Sequence, residues 1–138
     1  MQTVTVSRQI DAPRDAVEAA IRDTKSFMEA AGFDTVTVDG RSIHIENTVG
    51  LFGLEIGLDL RIIEDDGAVL AYEQESGIFE TMTTWYTVED RSEGSVDVTA
   101  TTEFAVDAAI VGELLDATLI KRQRRSELEA QFDYLATL

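Results

Sequence analysis

The chain contains no cysteine, one proline (Pro13), one histidine (His44) and only two lysines (Lys25 and Lys121) in 138 residues. Without cysteine there is no disulfide scaffold, no thiolate metal site and no thiol nucleophile. A lone histidine with no second His or Cys cannot build a His/Cys metal site, and neither metal nor cofactor is expected. No apolar run approaches the ~20 residues of a membrane span. The opening MQTVTVSRQI lacks a basic region followed by an apolar stretch, so the expectation is a soluble, cytoplasmic protein. No Gly-x-Ser-x-Gly, His-Glu-x-x-His, P-loop or calcium-loop pattern is present.

Acid is what the chain has in excess: 27 Asp and Glu face 11 Lys and Arg, for a net charge of −16. The length fits one domain spanning 1–138, since domains average roughly 150 residues. A chain of this size buries ~68% of its extended surface, enough for a real core. The acidic surface repels nucleic-acid phosphates and anionic lipid heads, which argues against both as partners. It also repels itself. Molar salt, with a screening length of about 3 Å, relieves that repulsion. The acid-rich, lysine-poor composition resembles that of proteins from salt-accumulating halophiles; an acidic protein of an ordinary cell is the other reading. On the halophile reading the melting temperature falls on dilution from molar to millimolar salt, and an unchanged melting temperature contradicts it.

Residues 3 to 10 alternate, with Val4, Val6, Arg8 and Ile10 on one face and Thr3, Thr5, Ser7 and Gln9 on the other, which predicts a strand. Pro13 then suits the first position of a helix, and Val17, Ala20, Ile21 and Thr24 follow helical spacing. Ser26 and Glu29 have the spacing of a capping box for a very short second helix ended by Gly32. From Phe33 to Phe104 the turns Asp39-Gly40, Gly50 to Gly53, Asp65-Asp66-Gly67, Gly77 and Ser92 to Gly94 delimit six strands. These run at about 33–38, 42–49, 54–64, 68–76, 80–90 and 95–104.

Antiparallel pairing of Val38 with Ile43, Ile45 with Leu58, Leu60 with Tyr72, Tyr72 with Thr84, and Tyr86 with Ala100 puts the apolar sets on one side of a single meander. Glu46, Glu55, Asp59, Glu73, Glu75, Asp97 and Glu103 fall on the other, as does His44 between Ile43 and Ile45. After Phe104, Asp107 is suited to cap a helix of about 30 residues, roughly 45 Å long. Its apolar stripe holds Ile110, Leu114, Ala117, Leu128, Phe132 and Leu135 and places it on the apolar face of the sheet.

This order resembles the helix-grip fold of the START-like (SRPBCC, polyketide cyclase and Bet v 1-like) superfamily. Ile10-Asp11-Ala12-Pro13-Arg14-Asp15-Ala16-Val17 is similar to its Ile-x-Ala-Pro-x-x-x-Val opening, and the stretch from Leu114 to Leu135 adds to the resemblance. The implied fold is α+β: a seven-stranded curved antiparallel sheet, two short helices after the first strand, and a long C-terminal helix packed on the sheet. The superfamily includes hormone-binding, lipid-transfer and quinone-binding proteins, polyketide cyclases and aromatases, and chaperone-ATPase activators, so fold alone does not fix activity. Asp39-Gly40-Arg41-Ser42 stands where the plant members carry a longer glycine-rich loop. The resemblance implies a cavity between sheet and helix, gated here by Leu51, Phe52, Ile78 and Phe79.

The inward face of the meander carries Asn47, Tyr72, Gln74, Ser76, Thr84, Tyr86 and Thr102 among Ile45, Leu58, Met82 and Phe104. An apolar surface with a few convergent polar groups is what small-ligand sites look like; the alternative is that these groups satisfy one another or hold buried water. With Leu114 and Lys121 they form the candidate ligand site. Lys121 falls at the centre of the helix stripe, with Arg125 about 40° away, where a cation could meet a ligand carboxylate or phosphate. Equally, the stems could lie over apolar surface with their heads paired to acids. Arg8, inward by alternation, is accounted for by a β-bulge or an internal ion pair. Trp85 falls outward, covered by a second copy in a homodimer or displaced by a one-residue slip of register.

The favoured function is binding or carriage of a hydrophobic small molecule, such as a lipid, isoprenoid or quinone, without covalent chemistry. The alternatives are a polyketide cyclase or aromatase-like enzyme, with Tyr72, Tyr86 or Glu80 moving protons, and a protein-interaction module.

Overall fold

Residues 1–49, 53–106 and 117–138 are described by a computed structural model of the chain. The alternating segment at the N-terminus forms β1 (Gln2–Ile10), and Pro13 stands immediately before α1 (Arg14–Arg22), whose Val17 and Ile21 are buried. α2 (Thr24–Glu29) starts from Asp23, without a side-chain cap. The expected capping box is therefore not formed: Ser26 lies inside the helix, one turn too late to cap it. Gly32, with φ +94°, reverses the chain after it, a conformation that suits glycine.

The remaining strands are β2 (Thr35–Asp39), β3 (Ser42–Val49), β4 (Leu54–Ile63), β5 (Leu70–Ser76), β6 (Phe79–Ser92) and β7 (Ser95–Val106). They form one antiparallel sheet in the order β1-β7-β6-β5-β4-β3-β2. β2 to β7 are neighbours in sequence order, as hairpin turns dictate, and β1 closes onto β7. The final helix, α3 (Ala117–Leu135), lies across the apolar face and is closest to β1 and β7. This is the α+β helix-grip arrangement. Among the described residues no helix is long and apolar enough to cross a membrane. The expected helix start at Asp107, with Ile110 and Leu114 on its stripe, lies outside the described residues.

Four of the five expected pairings are present: Val38 with Ile43, Ile45 with Leu58, Tyr72 with Thr84, and Tyr86 with Ala100. The fifth is displaced. Leu60 pairs with Gln74 and Ile62 with Tyr72, because the register shifts after Asp59, which still faces Ser76. The extra residue on β5 is a β-bulge that turns Ser76 to the outer face, where its hydroxyl donates to Asp59 at 2.9 Å. A second shift, between Phe79 and Thr81, leaves Glu80 unpaired and exposed. Strict alternation points both Ser76 and Glu80 inward, and one inserted residue reverses it for each.

The core runs under the whole sheet. Val17, Ile21, Phe27 and Met28 from the short helices meet Val98, Ala100, Phe104 and Tyr86 from the sheet and Leu128, Phe132 and Leu135 from α3. The ring of Phe27 meets Tyr86 edge-on at 5.0 Å. Arg8 reaches Asp133 of α3 at 2.5 Å, with its guanidinium 5.9 Å from the centre of the Phe132 ring. An ion pair between elements, not a bulge, thus accounts for a cation on the inward face. Trp85 is outward and half-buried, and its indole N–H donates to Asp65 of the β4–β5 turn at 2.8 Å. Its register opposite Thr101 is unbroken, so there is no slip.

On the outer face His44 lies 2.7 Å from Asp59 and 3.3 Å from Glu46. The hydrogen bond to Asp59, then that to Glu46, holds the imidazole above its ordinary pKa of 6.5, and Asp59 is correspondingly depressed. A raised imidazole contributes stability fully below its unfolded value, which is lost as pH rises through the folded one. The depressed carboxyl contributes above its unfolded value and loses that as pH falls through the folded one. The pair is therefore intact at mildly acidic pH. As the chain's one histidine, His44 can be titrated by NMR without assignment: the expected midpoint is above 6.5 and falls in Asp59→Asn, and a wild-type midpoint at or below 6.5 contradicts the pairing.

Candidate functional site: a crevice between sheet and helix

α3 packs closest against β1 and β7, at one side of the sheet, and less closely opposite β3 to β6. There a crevice opens, lined by Phe33, Ile45, Asn47, Ile56, Leu58, Leu60, Tyr72, Ile78, Phe79, Met82, Ile120, Gln123, Arg124 and Glu127. The unfilled space, mouth included, is about 530 Å³, but the part open to water-sized molecules is only about 40 Å³. A buried water needs roughly 10–15 Å³ on the latter measure, so the crevice as it stands admits a few waters. Ligand pockets run from about 300 to 1,000 Å³. The cavity that the resemblance implies is thus present as a narrow slot.

The crevice brings together Ile45, Asn47, Leu58, Tyr72 and Met82 of the expected site, and Ile78 and Phe79 of the expected gate. Thr84, Tyr86, Thr102 and Phe104 lie on the same face but are fully buried and do not line it. Gln74 is also outside the lining. Its amide nitrogen donates to the Phe79 carbonyl at 2.8 Å and its oxygen accepts the Phe79 N–H at 3.1 Å, so both polar ends are spent on the β5–β6 turn. Leu51, Phe52 and Leu114 lie outside the described residues.

Gly77, in that turn, has φ +154°, and a Cβ added there would strike Leu58 and lie 2.5 Å from the Gln74 amide oxygen. Gly77→Ala is expected to drive Gln74 off Phe79 and to cost about 1–3 kcal/mol, as overpacking does. Urea unfolding measures this, and an unchanged midpoint counts against the tight turn.

Lys121 does not line the crevice and Arg125 is exposed. The cation in that place is Arg124. The buried stripe of α3 is Ile120, Arg124, Glu127, Leu128, Gln131, Phe132 and Leu135. It is rotated from the expected stripe because three polar residues belong to it. Their side chains form one network. Arg124 Nη1 donates to Glu127 Oε1 at 2.6 Å, and Glu127 Oε2 accepts from Gln123 at 3.1 Å and Asn47 at 3.3 Å. Arg124 Nη2 donates to Thr84 at 3.2 Å and to the Tyr72 hydroxyl at 3.4 Å. Thr84 in turn donates to Thr102 at 2.9 Å. Tyr86 donates to Gln131 Oε1 at 2.6 Å, and the Gln131 amide donates to the Phe27 carbonyl at 3.1 Å. Having given its proton to Gln131, Tyr86 receives that of Tyr72 across 3.4 Å.

Burial opposes the charge on Arg124, but the surrounding Tyr72, Glu127 and Tyr86 oxygens outweigh it and raise its pKa. Burial also pushes the Tyr86 phenol up, so it remains a neutral donor at any ordinary pH. Sequence periodicity missed Arg124, Glu127 and Gln131 because it assigns charged and amide residues to solvent. The signal was the run Arg124, Glu127, Gln131 itself, at spacings of three and four.

No protein-family model matches the chain, and no curated protein matches its sequence. Solved structures do match its fold. TTHA0849 from Thermus thermophilus is 16% identical with TM-score 0.74, over 99% of this chain and 98% of that one. A START superfamily protein from Mycobacterium smegmatis is 9% identical with TM-score 0.75, over 98% and 94%. The Zhui aromatase/cyclase from Streptomyces sp. R1128 is 17% identical with TM-score 0.76, over 97% and 93%. The chain therefore has the START-like fold.

Proposed function

We propose that the protein binds a small, mainly apolar molecule between the sheet and α3, without covalent chemistry. The observation that carries this reading is the crevice itself. It is the place where a filled core gives way to apolar side chains facing open space, with polar groups gathered at Asn47, Tyr72, Gln123, Arg124 and Glu127. Burying apolar ligand surface there gains roughly 25 cal/mol per Å² before the costs of association. The fold shared with a START superfamily protein and an aromatase/cyclase supports the same reading.

Titration with Nile red, a neutral dye that brightens in apolar surroundings, tests it. Saturable one-to-one binding is expected in the wild type, and Leu58→Trp, which fills the slot, is expected to weaken it at least about tenfold. Unsaturable binding, or binding indifferent to Leu58→Trp, contradicts the proposal.

One observation favours a second reading, proton transfer to a bound polyketide-like chain: Tyr72 lines the crevice with its hydroxyl 3.4 Å from Arg124. Glu80, exposed on its bulge, offers no acid there, and Tyr86 is engaged with Gln131. Turnover abolished in Tyr72→Phe would support this enzyme reading; turnover that survives would end it.

A further inference from the structure

The hydrogen-bond inventory at the polar end of the crevice is unequal, and the inequality specifies a ligand chemistry. Both oxygens of Glu127 are engaged, one by Arg124 and the other by Gln123 and Asn47. Three of the carboxylate's roughly four acceptor positions are therefore taken. Arg124, by contrast, is buried and its Nε has no partner, alone among the buried side-chain nitrogens and oxygens of the described residues. Its Nη2, on the same edge of the guanidinium, makes only the long bonds to Thr84 and Tyr72. A side-on guanidinium edge is thus under-used where Arg124 and Tyr72 line the crevice, and a buried donor left unpaired is costly. What that edge lacks is an acceptor.

Charge decides which acceptor. Arg124 and Glu127 already neutralise one another at 2.6 Å, and among the described residues lining the crevice no second cation stands ready for an added anion. A carboxylate would enter a buried site beside Glu127, in a protein of net charge −16, and like charges at short range in such surroundings repel strongly. A neutral oxygen satisfies Nε at no charge cost.

We infer that the crevice selects a neutral apolar molecule presenting a carbonyl oxygen to the Nε–H of Arg124, in preference to the parent hydrocarbon or to a carboxylate on the same skeleton. Tyr72, whose proton is held by Tyr86 only across 3.4 Å, is placed to turn its O–H to the same oxygen. The inference rests on the crevice being a ligand site at all.

Three probes on one bicyclic skeleton test it on the intact wild-type protein: tetralin, 1-tetralone and 1,2,3,4-tetrahydro-1-naphthoate. Each is titrated while the Arg124 Nε–H signal is followed by NMR. The ketone is expected to bind at least about tenfold tighter than tetralin, the worth of one charge-assisted hydrogen bond, and to move the Nε–H signal, with the carboxylate weakest. Arg124→Lys keeps a cation for Glu127 but removes the side-on edge, and is expected to bring the ketone-to-tetralin ratio to about one. Equal binding of ketone and tetralin with the Nε–H signal unmoved overturns the inference and leaves the binding function standing. Tightest binding by the carboxylate also overturns it. Saturable binding of none of the three overturns both.

Discussion

Replacing Arg124 by methionine is expected to cost about 3–5 kcal/mol of folding stability, because it strands the Glu127 carboxylate in the interior without its cation. Both members of the pair are buried, and Arg124 also donates to Tyr72 and Thr84. The decisive comparison is with the double variant Arg124→Met/Glu127→Met. A buried ion pair replaced whole by apolar side chains is often neutral or better, so the double variant is expected to recover most of the loss, short of what Gln123, Asn47 and Thr84 forfeit. Urea unfolding of both proteins measures it. A single variant within about 1 kcal/mol of wild type would mean that the pair is solvated and not part of the core.

Phe132→Ala is the second large effect, about 3–5 kcal/mol. Phe132 is fully buried where α3 crosses closest to β1, and its ring lies under the Arg8 guanidinium. Its loss opens a cavity beneath the helix and removes the surface on which Arg8 rests. Arg8→Ala alone, breaking a pair whose Asp133 side chain is 74% exposed, is expected to cost less than about 1 kcal/mol. Near-equal costs for the two variants would show that the ion pair, not the ring, anchors α3.

The sheet was legible because strands alternate and turns announce themselves. Val4, Val6 and Ile10, or Ile43 and Ile45, declare an inward face by period two, and Asp39-Gly40 and Asp65-Asp66-Gly67 mark where it reverses. The bulges were not legible. A single extra residue at Glu75 or an unpaired Glu80 leaves composition and turn signals untouched while reversing the parity that places Ser76 and Glu80.

Half of the site was equally legible. Ile45, Asn47, Leu58, Tyr72 and Met82 follow from strand parity, but the α3 side does not follow from a wheel that counts apolar residues alone. Arg124, Glu127 and Gln131 are inward because each finds partners there, and no periodicity of hydrophobicity records a partner. Lys121, by the wheel the better candidate, is only half-buried beside them.

The central claim, that the slot between β3–β6 and α3 is the binding site, can be read from the chain's three methionines. Met82 lines the crevice, Met28 of α2 is buried against Gln131, and Met1 is exposed at the terminus. With methyl-labelled methionine and a titration of 1-tetralone, the account predicts a saturable shift of the Met82 methyl signal, with Met28 and Met1 nearly still. Shifts spread evenly over the three, or a Met82 signal that does not move at saturating ligand, would contradict it.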